Sequence, residues 1–293
     1  MNSEKGGMIM FRNMFCLGVS TQFDLPFDEQ IRLMQESGFD AFFTPWDYNF
    51  RMDDYVALAE ETGMIYQSVH APFGKVADMW HGSPQQQEAA VDELIACVRD
   101  CAKHGVNIMV SHVFIGFDRE YFPNEQGLEN FAKVIDEAEE LGVKIAFENT
   151  EGLEYLDAVL SAFAHSKSAK FCLDTGHEMC YNHPHNLIER YGDRLIATHI
   201  NDNLGIRSRR GEITYLDDLH LLPFDGIRDW DETAKELDGC GYKGILTFEL
   251  NRFSKPGRHE NDTYSKMETE EFFAEAYKRA CRFAAKRKAG KYR

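Results

Sequence analysis

Eight short apolar runs recur along the chain, separated by longer amphipathic stretches, and this alternation restricts the fold more than any other feature. The runs are FCLGVS (15–20), AFFTP (41–45), IYQSVH (65–70), IMVSHV (108–113), KIAFEN (144–149), KFCLDT (170–175), LIATHI (195–200) and ILTFEL (245–250). They are nearly continuous in apolar residues rather than alternating, as suits parallel strands covered on both faces. The stretches between them carry helix signals. DEQIRLMQESGFD stops at Gly38, DDYVALAEETG at Gly63 and NEQGLENFAKVIDEAEELG at Gly142; DWDETAKELDGCG also closes in glycines. Gly at such a position accepts the left-handed conformation that ends a helix and leads into a short loop. SPQQQEAAVDELIACVRDCAKHG opens with Ser83 as N-cap and Pro84 at the first helical position. ETEEFFAEAYKRACRFAAKRK reads as a closing helix with its Lys and Arg at the C-terminal end.

Eight strands alternating with helices predict an α/β fold, a (β/α)8 TIM barrel, as a single domain over 1–293. A doubly wound open sheet is the competing topology. It calls for a Gly-rich turn after the first strand, and LGVSTQFDLPF offers none. With 43% hydrophobic residues the chain has material for one large core. The formal net charge of −17 argues against a nucleic-acid partner, because such a surface repels phosphates. No apolar window reaches membrane-spanning length, so no membrane partner is expected. The first residues lack a basic segment and a small-residue cleavage site, so no secretory signal is expected. Seven cysteines without a CxxC pair suit reduced thiols in the cytoplasm. Cys97 and Cys101, four apart on a helix, read as packing.

In a barrel the active site lies at the C-terminal ends of the strands. Those ends hold His70, His112, Glu148, Asp174 with His177 following, His199 and Glu249. The longest irregular stretch, 201–228, follows the seventh strand and adds Asp217, Asp218 and His220. Any one of these has an ordinary explanation: a lone His is hydrogen-bonded, Asp174 caps a helix, Asp218 is a solvated charge. Together they do not, because several carboxylates buried near one axis need compensating cations. A divalent metal supplies them, and a mixed His and carboxylate set suits Mn²⁺, Zn²⁺, Co²⁺ or Fe²⁺ better than Ca²⁺.

EN at 148–149, CLDTGH at 172–177, HINDN at 199–203, HLLPFDGIRDW at 220–230 and FEL at 248–250 resemble the sugar phosphate isomerase/epimerase family, the xylose isomerase-like TIM barrels. The resemblance spans nearly the whole chain in the family's order and spacing. It implies one divalent metal ion, Mn²⁺ first and Zn²⁺, Co²⁺ or Mg²⁺ as alternatives, held by Glu148, Asp174, His199 and Glu249. It implies that His177 contacts the substrate, and that the protein is a homo-oligomer acting on a sugar or sugar phosphate. Two departures stand out. Phe224 occupies a position where family members often carry Gly, and NDNLG lacks the Arg that some ketose epimerases place shortly after the strand-seven His.

The expected reaction is proton abstraction next to a carbonyl through an enediolate whose charge the metal offsets. Glu148 and Glu249 are the expected acid and base on opposite faces of the substrate. His70 and His112 are expected to contact substrate, with support of the metal ligands as the other reading. Trp46 and Phe73 are expected to form an apolar wall. Arg207, Arg209, Arg210, Arg252, Lys255 and Arg258 could form a phosphate clamp, but each taken singly reads first as a solvated surface charge. Two alternatives share the residues. A dehydratase of a keto-polyol or inosose would use the same metal and base. The same barrel also hosts apurinic endonucleases with three zinc ions, whose larger ligand set has counterparts here in His70, His112, His177, Asp218 and His220.

Overall fold

The computed structural model describes residues 13–49, 51–117 and 122–289, with the side chains of 288 and 289 left aside. Strands β1 (Phe15–Gly18), β2 (Ala41–Pro45), β3 (Ile65–His70), β4 (Ile108–His112), β5 (Lys144–Glu148), β6 (Ala169–Asp174), β7 (Leu195–His199) and β8 (Leu246–Phe248) form one parallel sheet in the order β7-β6-β5-β4-β3-β2-β1-β8. The sheet curls into a nearly closed barrel. β8 pairs with β1 through Phe15–Leu246, Cys16–Thr247 and Leu17–Phe248. Toward β7 it makes one bridge, Ile200 to Phe248, with Ile200 N donating to Thr247 O at 2.7 Å. Thr247 N there donates to the Thr198 hydroxyl at 3.1 Å rather than to a carbonyl. The β7–β8 seam is thus the weakest junction of the wall.

Helices α1 (Phe27–Ser37), α2 (Met52–Thr62), α3 (Asp78–His81), α4 (Pro84–Lys103), α5 (Glu125–Leu141), α6 (Leu153–Ala162), α7 (Thr175–Cys180), α8 (Leu187–Tyr191), α9 (Trp230–Gly239) and α10 (Thr269–Ala289) accompany the strands. Ser83 caps α4 in a reciprocal box with Gln86, each side chain accepting the other's backbone N–H. Gly38, at φ 105°, ends α1 as its position predicts. α6 escaped the sequence reading because it starts after Gly152 with no capping side chain. α3, α7 and α8 are four to six residues long, too short to show a period.

Large apolar side chains pack between strands and helices. A separate small cluster, Val110, Ala146, Cys172 and Ala197, sits on the other side of β4 to β7. Each member lies two residues before His112, Glu148, Asp174 and His199 respectively, so it shares their face of the strand. A layer of small residues therefore floors the polar groups at the strand ends. Among the described residues no helix is long and apolar enough to cross a membrane.

Candidate metal centre

Register brings the polar strand ends to one level. His112 pairs with Glu148, Asp174 with His199, and Glu249 follows β8 directly. One ligand atom each from Glu148, Asp174, His199 and Glu249 lies within 4.8 Å of the others. His199 Nδ1 is 3.0 Å from Glu148 Oε1 and 3.1 Å from Glu249 Oε2. Its ring is clamped by stacking on Phe43, 5.0 Å between centroids, and on His70 at 5.8 Å. Phe43 reaches this place because Gly18 has no side chain; a Cβ there would stand 2.3 Å from the Phe43 ring.

Asp174 does cap a helix, and the same bonds orient it. Its Oδ1 accepts from His177 N at 2.7 Å and its Oδ2 from Asn201 Nδ2 at 2.8 Å. Asn149 exchanges bonds with the Asp174 backbone at 2.8 and 2.9 Å. A Cβ on Gly176 would fall 1.9 Å from Asn201 Oδ1, so the Gly of DTGH is what lets Asn201 reach Asp174. Asn149, Asn201, Gly18 and Phe43 were not singled out as site residues. The motifs EN and HINDN contain two of these positions, Asn149 and Asn201, but their local sequence does not reveal the cross-strand contacts.

The electrostatics fit a cation. Burial would raise the Glu148 carboxyl, yet the His199, His112 and His70 rings hold it well below the carboxylate range. Burial likewise opposes ionised Glu249, but His199 and His220 bring it down to about 2. Burial would depress the His199 imidazolium, and Glu148 with Glu249 outweighs that and holds it well above the ordinary value. Asp174 shifts upward because burial outweighs its His neighbours. The buried Glu148 Oε2 has no aligned hydrogen-bond donor, although His70 and His112 Nε2 stand 3.3 and 3.4 Å away. Three carboxylates on one His, two of them fully buried, match a divalent ion's donor set of oxygen and imidazole nitrogen.

A second group adjoins this one. Asp218 Oδ1 lies 2.8 Å from His220 Nε2 and 3.3 Å from His177 Nε2. His220 holds a positive φ of 47° and directs its Nδ1 to Glu249 O at 3.1 Å. Asp218 is held well below the carboxylate range, since the two rings outweigh its burial. His177 Nδ1 meets Asn149 O at 3.0 Å, leaving Nε2 toward Asp218 and the cavity.

Several expectations need correction. Trp46 is buried, donates its indole N–H to Asp100 at 2.8 Å and does not line the cavity, because the β2–α2 loop turns it back onto α4. Phe73 does line it, stacked on His112 at 4.8 Å. His70 and His112 line the cavity with Nε2 3.3 and 3.4 Å from Glu148 Oε2, a placement that serves either substrate contact or support of that carboxylate. Asp217 is buried in the irregular loop, accepting from the backbone of Arg207 and Thr214. Arg252 is buried against Tyr264, Thr269 and Met267. Arg258 is buried against Leu216 and Glu260. Neither faces the cavity, nor do Arg207, Arg209 and Arg210; of the proposed clamp only Lys255 lines it, 3.5 Å from Asp218.

Comparison with known proteins gives a consistent result. The sequence model of one family, described as the xylose isomerase-like TIM barrel, matches residues 31–266. The uncharacterized protein y4fM of Sinorhizobium fredii is 30% identical over 257 residues, 76% of this chain and 79% of that one. Among solved structures, the IolI protein with a bound zinc atom superposes with a TM-score of 0.73 at 16% identity, over 93% of this chain and 98% of its own. D-psicose 3-epimerase from Clostridium cellulolyticum H10, solved with D-tagatose, does so at 0.66 and 15% identity, over 90% and 97%. At such identities the two structures attest the shared fold.

Proposed function

The chain belongs to the xylose isomerase-like TIM barrel family, and from that premise we propose that it is a divalent-metal-dependent isomerase or epimerase of a sugar or sugar phosphate. One observation carries the reading: Glu148, Asp174, His199 and Glu249, from four separate strand ends, present ligand atoms within 4.8 Å of one another, and Glu249 among them lines the cavity. The epimerase and the zinc-bound protein among the structural neighbours support the same class.

A bound divalent ion would act as a Lewis acid on the substrate carbonyl and offset the charge that develops when an adjacent proton leaves. The chain's own residues divide the remaining work. Glu148 and Glu249 both approach His199 Nδ1, at 3.0 and 3.1 Å, and in this reading one removes the proton and the other returns it. His70 and His112 keep Glu148 ionised and fix its direction. Asn201 and the α7 N-terminus fix Asp174. His177 Nε2 and Lys255 Nζ face the cavity and can orient substrate oxygens. The test is incubation of ketoses with the manganese-loaded protein in D₂O. Deuterium should enter a carbon beside the carbonyl, and Glu148→Gln should lower the rate at least about 100-fold. Full exchange by that variant would refute the acid/base role.

A second reading, a zinc phosphodiesterase like the apurinic endonucleases, draws on one specific observation. Two further groups, His70–His112–Glu148 and Asp174–His177–His220, also place ligand atoms within 4.8 Å, and each shares a carboxylate with the first. The net charge of −17 opposes a DNA partner. Cleavage of an abasic duplex, with two or three tightly bound ions per chain, would favour it over the isomerase.

A further inference from the structure

The cavity above the strand ends has two lobes of opposite chemistry, and we propose that the substrate is a keto-sugar carrying an aryl substituent rather than a bare polyol. This rests on the isomerase reading of the site. One lobe, of about 230 Å³, lies by the loops after β1 and β8 and offers Ser20, Gln22, Asn251 and Lys255. The other, of about 200 Å³, spans the loops after β3, β4, β6 and β7 and offers Phe73, Phe117, Tyr181 and Tyr215. Asp218, His220 and Glu249 line both.

The second lobe is apolar by construction. Among the described residues ten large hydrophobic side chains are exposed, and Phe73, Phe117 and Tyr215 are three of them, at 43%, 41% and 57%. Their convergence on one cavity marks a surface that a ligand covers. The wall is held in place: Phe73 stacks on His112, Tyr181 stacks on His177 at 5.1 Å, and Phe117 meets Tyr181 edge-on at 6.0 Å. The two polar residues beside the aromatic wall are already engaged. Thr150 Oγ1 donates to Phe114 O at 3.0 Å, and Glu151 Oε1 accepts from Gly116 N at 2.7 Å. Sugar hydroxyls placed on the aromatic wall, away from His177 and the metal residues, would give up water for few new bonds, whereas the first lobe presents amide, hydroxyl and ammonium groups. The apolar lobe exceeds the roughly 150 Å³ cavity that takes up a benzene ring.

The test measures calorimetric binding of phenyl β-D-glucoside, methyl β-D-glucoside and D-fructose to the manganese-loaded protein. The phenyl compound should bind at least about tenfold tighter than the methyl one. Phe117→Ala and Tyr215→Ala should each narrow that ratio about threefold or more. Both side chains are near half exposed, so melting temperatures should hold, and these are recorded alongside. Equal affinities for the two glucosides, or a ratio unmoved in both variants, overturns the proposal. The isomerase reading is judged separately. Metal-dependent deuterium uptake by a ketose with no phenyl preference removes the apolar-lobe assignment alone. A phenyl preference without uptake by any ketose supports the lobe and counts against the reaction.

Discussion

At the scale of single residues, Phe224 shows how a bulky side chain is tolerated in a backbone conformation that favours Gly. Its φ of 78° lies in the left-handed region. The backbone kept the conformation and the side chain found packing: the Arg282 guanidinium lies 3.8 Å from the ring centre and the Trp230 ring 5.6 Å away. Asp202 Oδ2 accepts Phe224 N at 2.9 Å and fixes the turn. Phe224→Gly loses the packing but relieves the backbone, while Phe224→Ala loses the packing and keeps the penalty. Urea unfolding should therefore find the Gly variant more stable by about 1 kcal/mol; the reverse order would refute the backbone account. His199 gives a second prediction. The carboxylates hold its pKa above the ordinary value, so the metal-free ring keeps a proton that an ion must displace. Manganese affinity should climb as the pH rises between about 6 and 8, with protons released on binding. Calorimetry in two buffers of different ionisation heat measures that release, and pH-independent affinity without it would count against His199 as a ligand.

At the scale of elements, α7 is where fold and site meet. Its first turn contains Gly176, whose missing side chain admits Asn201 to Asp174. Gly176→Ala should push Asn201 away and weaken manganese binding about 10–100-fold. Far-UV circular dichroism should stay unchanged; unaltered affinity would mean that Asn201 is dispensable. The contrast in legibility is clear here. The strands were readable because each is a dense apolar run, and their last residues were readable as site candidates because a barrel puts function there. α4 was readable from Ser83 and Pro84. α7 was not, since six residues show no period, and DTGH offered a cap or a ligand without showing that one carboxylate can serve as both. Trp46 was misread because sequence gives a residue's place after β2 but not the direction of its ring. For Arg252 and Arg258 charge suggests solvent or ligand, and their sequence neighbours do not show that they tie loops together.

At the scale of the whole molecule, the weak β7–β8 seam lies beside the four candidate ligands. Glu148, Asp174 and His199 stand on the β5–β7 side, and Glu249 extends from β8 on the other. An ion bound to all four would bridge the seam. At a manganese concentration 100 times its Kd the folded state should gain about 2.7 kcal/mol, a rise in melting temperature of roughly 4–5 °C for a chain of this size. Hydrogen exchange should slow most at Leu246–Phe248, and uniform protection around the ring of strands would argue against bridging. With such an ion the barrel would resemble a bracelet closed by a clasp; stripped of it, the ring should part first at its thinnest link, and limited proteolysis should begin there.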